Sequence, residues 1–408
     1  MHKHRGLTLA NTGRVPATVG FIDRPVGPGQ TPGIAPTWVT LKIDDGSSRL
    51  TSDLSKRTLE PGDTMNVELE VRILDVSLAR AFNEGVRRLE DILVLRVENG
   101  RDHFIPLHGT WLESSLGHSI DKLIRIPEGG IRKLQRQKPD GTRARGSSSG
   151  EQPVKWSAPR ELFRLTEGIE DLTVRSIAEW AMVSHTQGQT PPWENTPGWP
   201  FVEGAWISRE KQWDDRIAAV GEAIDADRPF DQTFPEALSF LEQLESMAAF
   251  LMLFLQSMPD GVVTEEIWEQ LNDGLVKLDK EHKRPSLDDQ RTSIQEILSQ
   301  SPAHSISFIL LCAMLDRIAS EVVASNKRSK DIQPTTNSSI ALPYGALIRR
   351  KTNSQAPMPV QRDAVDKAFA SIFAPIVIRA PLPARDKDKH SIEERKARII
   401  ATFLAKEA

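Results

Sequence analysis

Met65-Asn66-Val67-Glu68-Leu69-Glu70-Val71-Arg72-Ile73 puts an apolar residue at every odd position and a polar one at every even position. A period of two marks a strand with one face in a core and the other in water, because successive side chains leave a strand on opposite sides. Glu60-Pro61-Gly62-Asp63 supplies a turn just ahead of it. Downstream, Ile92-Leu93-Val94-Leu95-Arg96-Val97 is nearly continuous in apolar residues and reads as a strand buried on both faces. Glu98-Asn99-Gly100-Arg101 follows as an Asn-Gly hairpin signal, and His103-Phe104-Ile105-Pro106-Leu107 is the returning strand. Pro106 has no N–H to give a ladder, which assigns that strand to a sheet edge. Residues 7–111 therefore read as an all-β sandwich, with a domain over 1–127.

Residues 128–157 change character. They concentrate Gly, Ser, Lys and Arg and show no periodic apolar positions, the composition of a flexible basic linker. Five cations, Arg132, Lys133, Arg136, Lys138 and Arg143, add attraction to an anionic membrane surface if held near one, although a solvated spacer explains them as well. Gly146-Ser147-Ser148-Ser149-Gly150 matches a nucleophile-elbow pattern in letters only, since no strand precedes it and no helix follows.

From residue 158 onward helical spacing dominates. Leu162, Leu165, Ile169 and Leu172 share one face, and Leu238, Leu241, Leu244, Met247, Leu251 and Leu255 share another in a helix expected to open at Phe234-Pro235 and stop at Met258-Pro259. Further helices are expected over 264–278, 304–323, 363–373 and 391–406, the last opened by a capping box of Ser391 and Glu394. Residues 327–358, polar and rich in Ser, Thr, Asn and Pro, read as a mobile insertion in an all-α domain spanning 158–408.

The 408 residues, 39% hydrophobic and 26% charged, suit a soluble multidomain chain, and a net charge of −4 gives no reason to expect nucleic acid. No apolar run approaches the roughly 20 residues of a bilayer span. The single cysteine, Cys312, excludes a disulfide framework and fits a reducing compartment. The histidines offer no metal-ligand spacing: His103 and His108 would face opposite sides of a sheet, and His282, His304 and His390 stand alone. No phosphate loop or cofactor motif is present, so neither a metal nor a cofactor is expected. Leu275-Val276-Lys277-Leu278-Asp279 fits a clathrin-box pattern but lies at helical spacing, where packing explains it.

Leu9-Ala10-Asn11-Thr12-Gly13-Arg14-Val15-Pro16-Ala17, Leu89-Glu90-Asp91-Ile92-Leu93-Val94-Leu95 and Gly109-Thr110-Trp111-Leu112 resemble the ASH domain of type II inositol polyphosphate 5-phosphatases. The resemblance implies an immunoglobulin-like sandwich related to major sperm protein, followed by a Rho-GAP-like helical domain. It also implies a first strand cut short, and hence a fragment or a reading frame begun at an internal methionine. The family's phosphatase signatures, Trp-x-Gly-Asp-x-Asn-x-Arg and Pro-x-Trp-Cys-Asp-Arg, do not occur, so phosphoinositide hydrolysis by this chain is not expected.

In the helical half, Gly204-Ala205-Trp206-Ile207-Ser208-Arg209-Glu210 resembles the finger loop of a Rho GTPase-activating domain, with Ile207 where such domains carry their catalytic arginine. Leu255-Gln256-Ser257-Met258-Pro259 and Phe373-Ala374-Pro375-Ile376 resemble two more of its elements, which puts Met252, Gln256 and Ala368 at further polar positions of the family's site. An arginine finger supplies about 10³ to 10⁵ in rate, and isoleucine brings neither charge nor donor. The resemblance therefore implies a catalytically dead module; Arg209 is the nearby cation through which an active GTPase activator would have to work. It further implies Rab binding along residues 102–107, with Phe104, Asp102 and Ile105 at the interface. The remaining implied partners are Rho-family GTPases and short helical endocytic adaptor peptides, in a cytoplasmic setting peripheral to endosomal and Golgi membranes.

Overall fold

The computed structural model describes residues 2–27, 31–44, 50–136, 156–183, 190–207, 212–280, 285–331, 361–381 and 386–406. They form two compact units: Met1–His118 with Ile126–Ser149 and Gln212–Phe234, and Ser119–Arg125 with Gly150–Lys211 and Pro235–Ala408.

The first unit contains strands β1 (His2–Ala10), β2 (Ala17–Ile22), β3 (Val39–Asp44), β4 (Leu50–Thr51), β5 (Arg57–Leu59), β6 (Thr64–Arg72), β7 (Leu89–Val97) and β8 (Asp102–Gly109), with helix α1 (Val76–Asn83) between β6 and β7. The strands make two antiparallel four-stranded sheets, ordered β1-β6-β3-β4 and β5-β2-β7-β8. Met65, Val67 and Leu69 of β6 are buried with Leu41 and Ile43 of β3 and with Phe21, Leu93 and Leu95 of the second sheet. The alternation in the sequence thus faces a single core, as its period requires.

β1 runs nine residues and pairs with β6 from His2↔Arg72 to Ala10↔Thr64. Several expectations change in detail. β7 is buried on both faces only over Leu93, Val94 and Leu95, and Ile92 is exposed. Asn99 adopts φ 58 in the turn to β8, the left-handed conformation that an Asn-Gly hairpin uses. α1 interrupts the expected all-β stretch and is capped by Asp75, whose carboxylate accepts from the Leu78 N–H at 2.8 Å.

The chain between the two halves is not a linker throughout. After α2 (Ile120–Leu123), which belongs to the second unit, α3 (Ile131–Arg136) buries Ile131 in the first unit. Arg132, expected as a solvated cation, instead donates to Glu222 Oε2 and to the Glu113 carbonyl, both at 2.7 Å, and lies 3.2 Å from Asp225 Oδ2. Lys138, Arg143 and Gly146-Ser147-Ser148-Ser149-Gly150 lie outside the described residues.

The second unit continues with α4 (Arg160–Val183) and α5 (Pro192–Asn195), whereas α6 (Trp213–Asp225), which no helical spacing had marked, belongs to the first unit. Its anchor is Asp225: Oδ1 accepts from the Ser115 N–H at 2.8 Å and the Ser115 hydroxyl at 2.7 Å. Burial holds the Asp225 carboxyl above its usual range, against the opposing pull of Arg132 and Ser115.

Helices α7 (Phe240–Ser257), α8 (Glu265–Lys280), α9 (Leu287–Leu298), α10 (Pro302–Asp331), α11 (Arg362–Val377) and α12 (Asp386–Leu404) complete the second unit. α7 opens six residues later than expected, at a capping box in which Ser239 and Glu242 satisfy each other's backbone donors. The capping box expected at Ser391 does not form, because α12 is already helical from Asp386, and the Ser391 hydroxyl accepts from Arg395 instead. α10 runs on to Asp331, into the expected insertion, and residues 332–360 lie outside the described residues. Leu275 is packed in α8, and Cys312 is buried in α10 with its thiol pushed up by burial.

Candidate functional site

In the first unit the candidate surface is β8. Among the described residues it has a neighbouring strand only on its β7 side, so alternate backbone N–H and C=O groups of this strand point away from the sheet. Opposite pairs set the faces: Val94↔Phe104, Leu93↔Ile105 and Arg96↔Asp102. Phe104 is 62% exposed beside Val94, which is 2% exposed although its side chain is on the outer face. Ile92 and Pro106 form the next pair, with Ile92 also exposed, so the outer face carries a small apolar patch at an open edge.

Asp102 lies two residues from Phe104 on the same face. Its carboxylate accepts a fork of two bonds from Arg96, Nε to Oδ1 at 2.8 Å and a terminal nitrogen to Oδ2 at 2.7 Å. The Arg96 hydrogen bond holds the Asp102 carboxyl below its ordinary value and the guanidinium above its own. Ile105 is turned the other way and packs against the sandwich core. Its side chain is therefore structural, and what it offers at the edge is backbone. Of the three residues named from the sequence, Phe104 and Asp102 share a surface, and Ile105 does not reach it.

In the second unit the four positions singled out from the sequence, Ile207, Met252, Gln256 and Ala368, lie on the loop before residue 208 and on α7 and α11. Ile207 is 57% exposed, and its backbone N–H donates to Glu245 Oε1 at 3.0 Å. Glu245, Met252 and Gln256 are spaced by seven and four residues along α7 and so occupy one face of it. Ala368 is on α11 against the same loop: a Cβ on Gly198 would lie 3.8 Å from its Cβ.

The loop is fixed by aromatic packing. Trp193 sits 5.8 Å from Trp180 and 4.8 Å from Trp199, and Phe201 meets Phe369 and Phe373 edge-on at 5.7 and 4.8 Å. The Trp206 indole N–H donates to the Pro200 carbonyl at 2.7 Å. Arg379 donates to the carbonyls of Met258 at 2.6 Å and Gln256 at 3.2 Å, so its charge is spent closing the end of α7.

Ile207, Met252, Gln256 and Ala368 are thus held on a rigid frame, but none carries a charge that would stabilise a transferring phosphoryl group. Glu245, whose carboxylate accepts from the Ile207 N–H, has the wrong sign for that task. Glu245 escaped the sequence reading, because a glutamate among the apolar residues of α7 carries no local sign that it anchors a loop. Arg209 lies outside the described residues.

Residues 1–111 match the family model described as the inositol polyphosphate 5-phosphatase OCRL-like ASH domain. Type II inositol 1,4,5-trisphosphate 5-phosphatase of Mus musculus is 38% identical over 79 residues, which is 19% of this chain and 8% of the length of that relative. Among solved structures, human Rho GTPase activating protein 15 aligns at a TM-score of 0.36 and 10% identity, over 72% of this chain and 90% of that one. No described helix is long and apolar enough to cross a membrane.

Proposed function

We propose that this chain, whose first 111 residues are an ASH domain of the inositol 5-phosphatase kind, is a targeting and scaffold module that binds small GTPases and catalyses nothing itself. In this reading the ASH unit engages a GTP-loaded Rab along β8. The helical unit offers Rho-family GTPases or short helical adaptor peptides a surface without an arginine finger. The chain then works in the cytoplasm, peripheral to endosomal and Golgi membranes, where it positions phosphoinositide 5-phosphatase activity encoded with it or brought to it.

The observation that carries the proposal is Phe104. A phenylalanine 62% exposed on an edge strand keeps apolar area in water that a partner covering it would bury with a gain in free energy. An aromatic anchor next to unpaired backbone groups and the charged Arg96–Asp102 pair is the composition of a binding hot spot with a polar rim. Phe104→Ala should abolish binding of GTP-loaded Rab in a titration with the intact chain while leaving the thermal midpoint nearly unchanged. A collapse of the midpoint, or binding that persists, would move the interface elsewhere.

A further inference from the structure

Beyond any GTPase contact, His2 and His4 lie two residues apart on β1 and so share one face of the strand, beside Glu70 and Glu68 of β6, which stand opposite His4 and Gly6 and reach the two histidines diagonally. Asp215, in the first turn of α6, lies over the same face. Its Oδ1 is 2.7 Å from His2 Nδ1 and 3.8 Å from His4 Nε2. The two imidazole rings meet edge to face, 4.5 Å between centroids. His2 is shielded, with 6% of its side chain exposed, whereas His4 at 40% and Asp215 at 48% open the cluster to solvent.

The outward nitrogens are equally ordered. His2 Nε2 is 2.7 Å from Glu70 Oε1, and Glu70 is itself gripped by Lys42 at 2.6 Å. His4 Nδ1 is 2.7 Å from Glu68 Oε1. Each ring therefore turns one nitrogen toward Asp215 and has the other held by a carboxylate. That is the arrangement by which outer-shell carboxylates fix the tautomer and aim of metal-binding histidines.

We propose that His2 Nδ1, His4 Nε2 and Asp215 Oδ1 form a binding site for a divalent transition-metal ion, Zn²⁺ foremost. Ligand atoms about 2.0–2.2 Å from zinc at the corners of a tetrahedron are separated by roughly 3.3 Å. The separations of 2.7 and 3.8 Å bracket that value, and all three ligand atoms lie within 4.8 Å of one another. Imidazole with carboxylate suits zinc better than the all-oxygen cations calcium and magnesium. The fourth position faces solvent beside His4 and takes water. Such an ion ties the open edge of β1 to α6, a structural role that requires no catalysis.

The test is competition between the intact, untagged chain and a chromophoric chelator for Zn²⁺. The wild type should take up one equivalent with micromolar or tighter affinity, and Co²⁺ in its place should show the visible bands of a tetrahedral nitrogen and oxygen site. His4→Ala and Asp215→Asn, both at exposed side chains, should each weaken binding by at least about tenfold, and Glu70→Gln by about 10- to 100-fold through loss of the outer-shell partner. Circular dichroism of the metal-free variants verifies that they remain folded. Absence of a stoichiometric equivalent in the wild type would overturn the proposal. So would unchanged affinity in Asp215→Asn, since the two imidazoles alone would then account for the binding.

Discussion

Replacing Asp225 by alanine tests whether α6 is truly part of the sandwich unit. The carboxylate accepts from the Ser115 N–H and hydroxyl at 2.8 and 2.7 Å and faces Arg132 at 3.2 Å, all in a buried setting. Removing one member of a buried ion pair costs about 3–5 kcal/mol, because the survivor is left without compensation. Here Arg132 keeps Glu222 and the Glu113 carbonyl, each at 2.7 Å, so it is not stranded. The loss then falls mainly on the two Ser115 donors, each costing about 1–3 kcal/mol when left unsatisfied, and sums to about 3 kcal/mol. For a unit of this size that lowers the thermal midpoint by about 6–12 °C. Calorimetry of the intact chain measures the shift, and hydrogen exchange read on peptides from β6 and α6 locates it. Both peptides should lose protection together. Exposure of α6 with β6 unchanged would refute the assignment of this helix to the sandwich.

The same residue gives a pH dependence. An unfolded aspartate ionises near pH 3.9, and burial holds the folded Asp225 proton to higher pH, so the folded state binds more protons in that window. The stability this group contributes is full below the unfolded value and falls as pH rises through the folded one; urea midpoints followed from about pH 4 upward should show the slope, and Asp225→Asn should flatten it. Cys312, buried and with its thiol pushed up, should resist a thiol reagent in the native chain and react at the rate of an ordinary cysteine once urea unfolds it. Modification of the native protein at the unfolded rate would contradict the packing of α10.

The sandwich was legible because its central strand has one wet face: Met65, Val67 and Leu69 announce the core in their spacing alone. The edge position of β8 was legible too, since Pro106 excludes a second neighbour and places Phe104 outward once Ile105 faces in. α6 was not. Its destination depends on Asp225 finding Ser115, 110 residues away in sequence, and no local period records such a pairing. Helix starts failed where two signals competed. Phe234-Pro235 resembled an opening that the capping box at Ser239 overrode, and Ser391 with Glu394 spelled a cap inside a run, Asp386 to His390, that contains no residue to stop a helix. His2 and His4 carried a readable sign, the spacing of two that puts both on one strand face, but their carboxylate partners come from β6 and α6 and appear only on folding.

Binding without catalysis is most directly tested by single-turnover GTP hydrolysis on Rac- or Cdc42-type GTPases with the intact chain in excess. On the proposed reading, with Ile207 in place of a finger arginine and no cation among Met252, Gln256 and Ala368, the hydrolysis rate should stay at the intrinsic value of the GTPase. A stimulation of about 100-fold or more, well above any intrinsic rate and approaching the roughly 10³ to 10⁵ an arginine finger supplies, that vanished in Arg209→Ala would contradict it and make the chain a working GTPase activator.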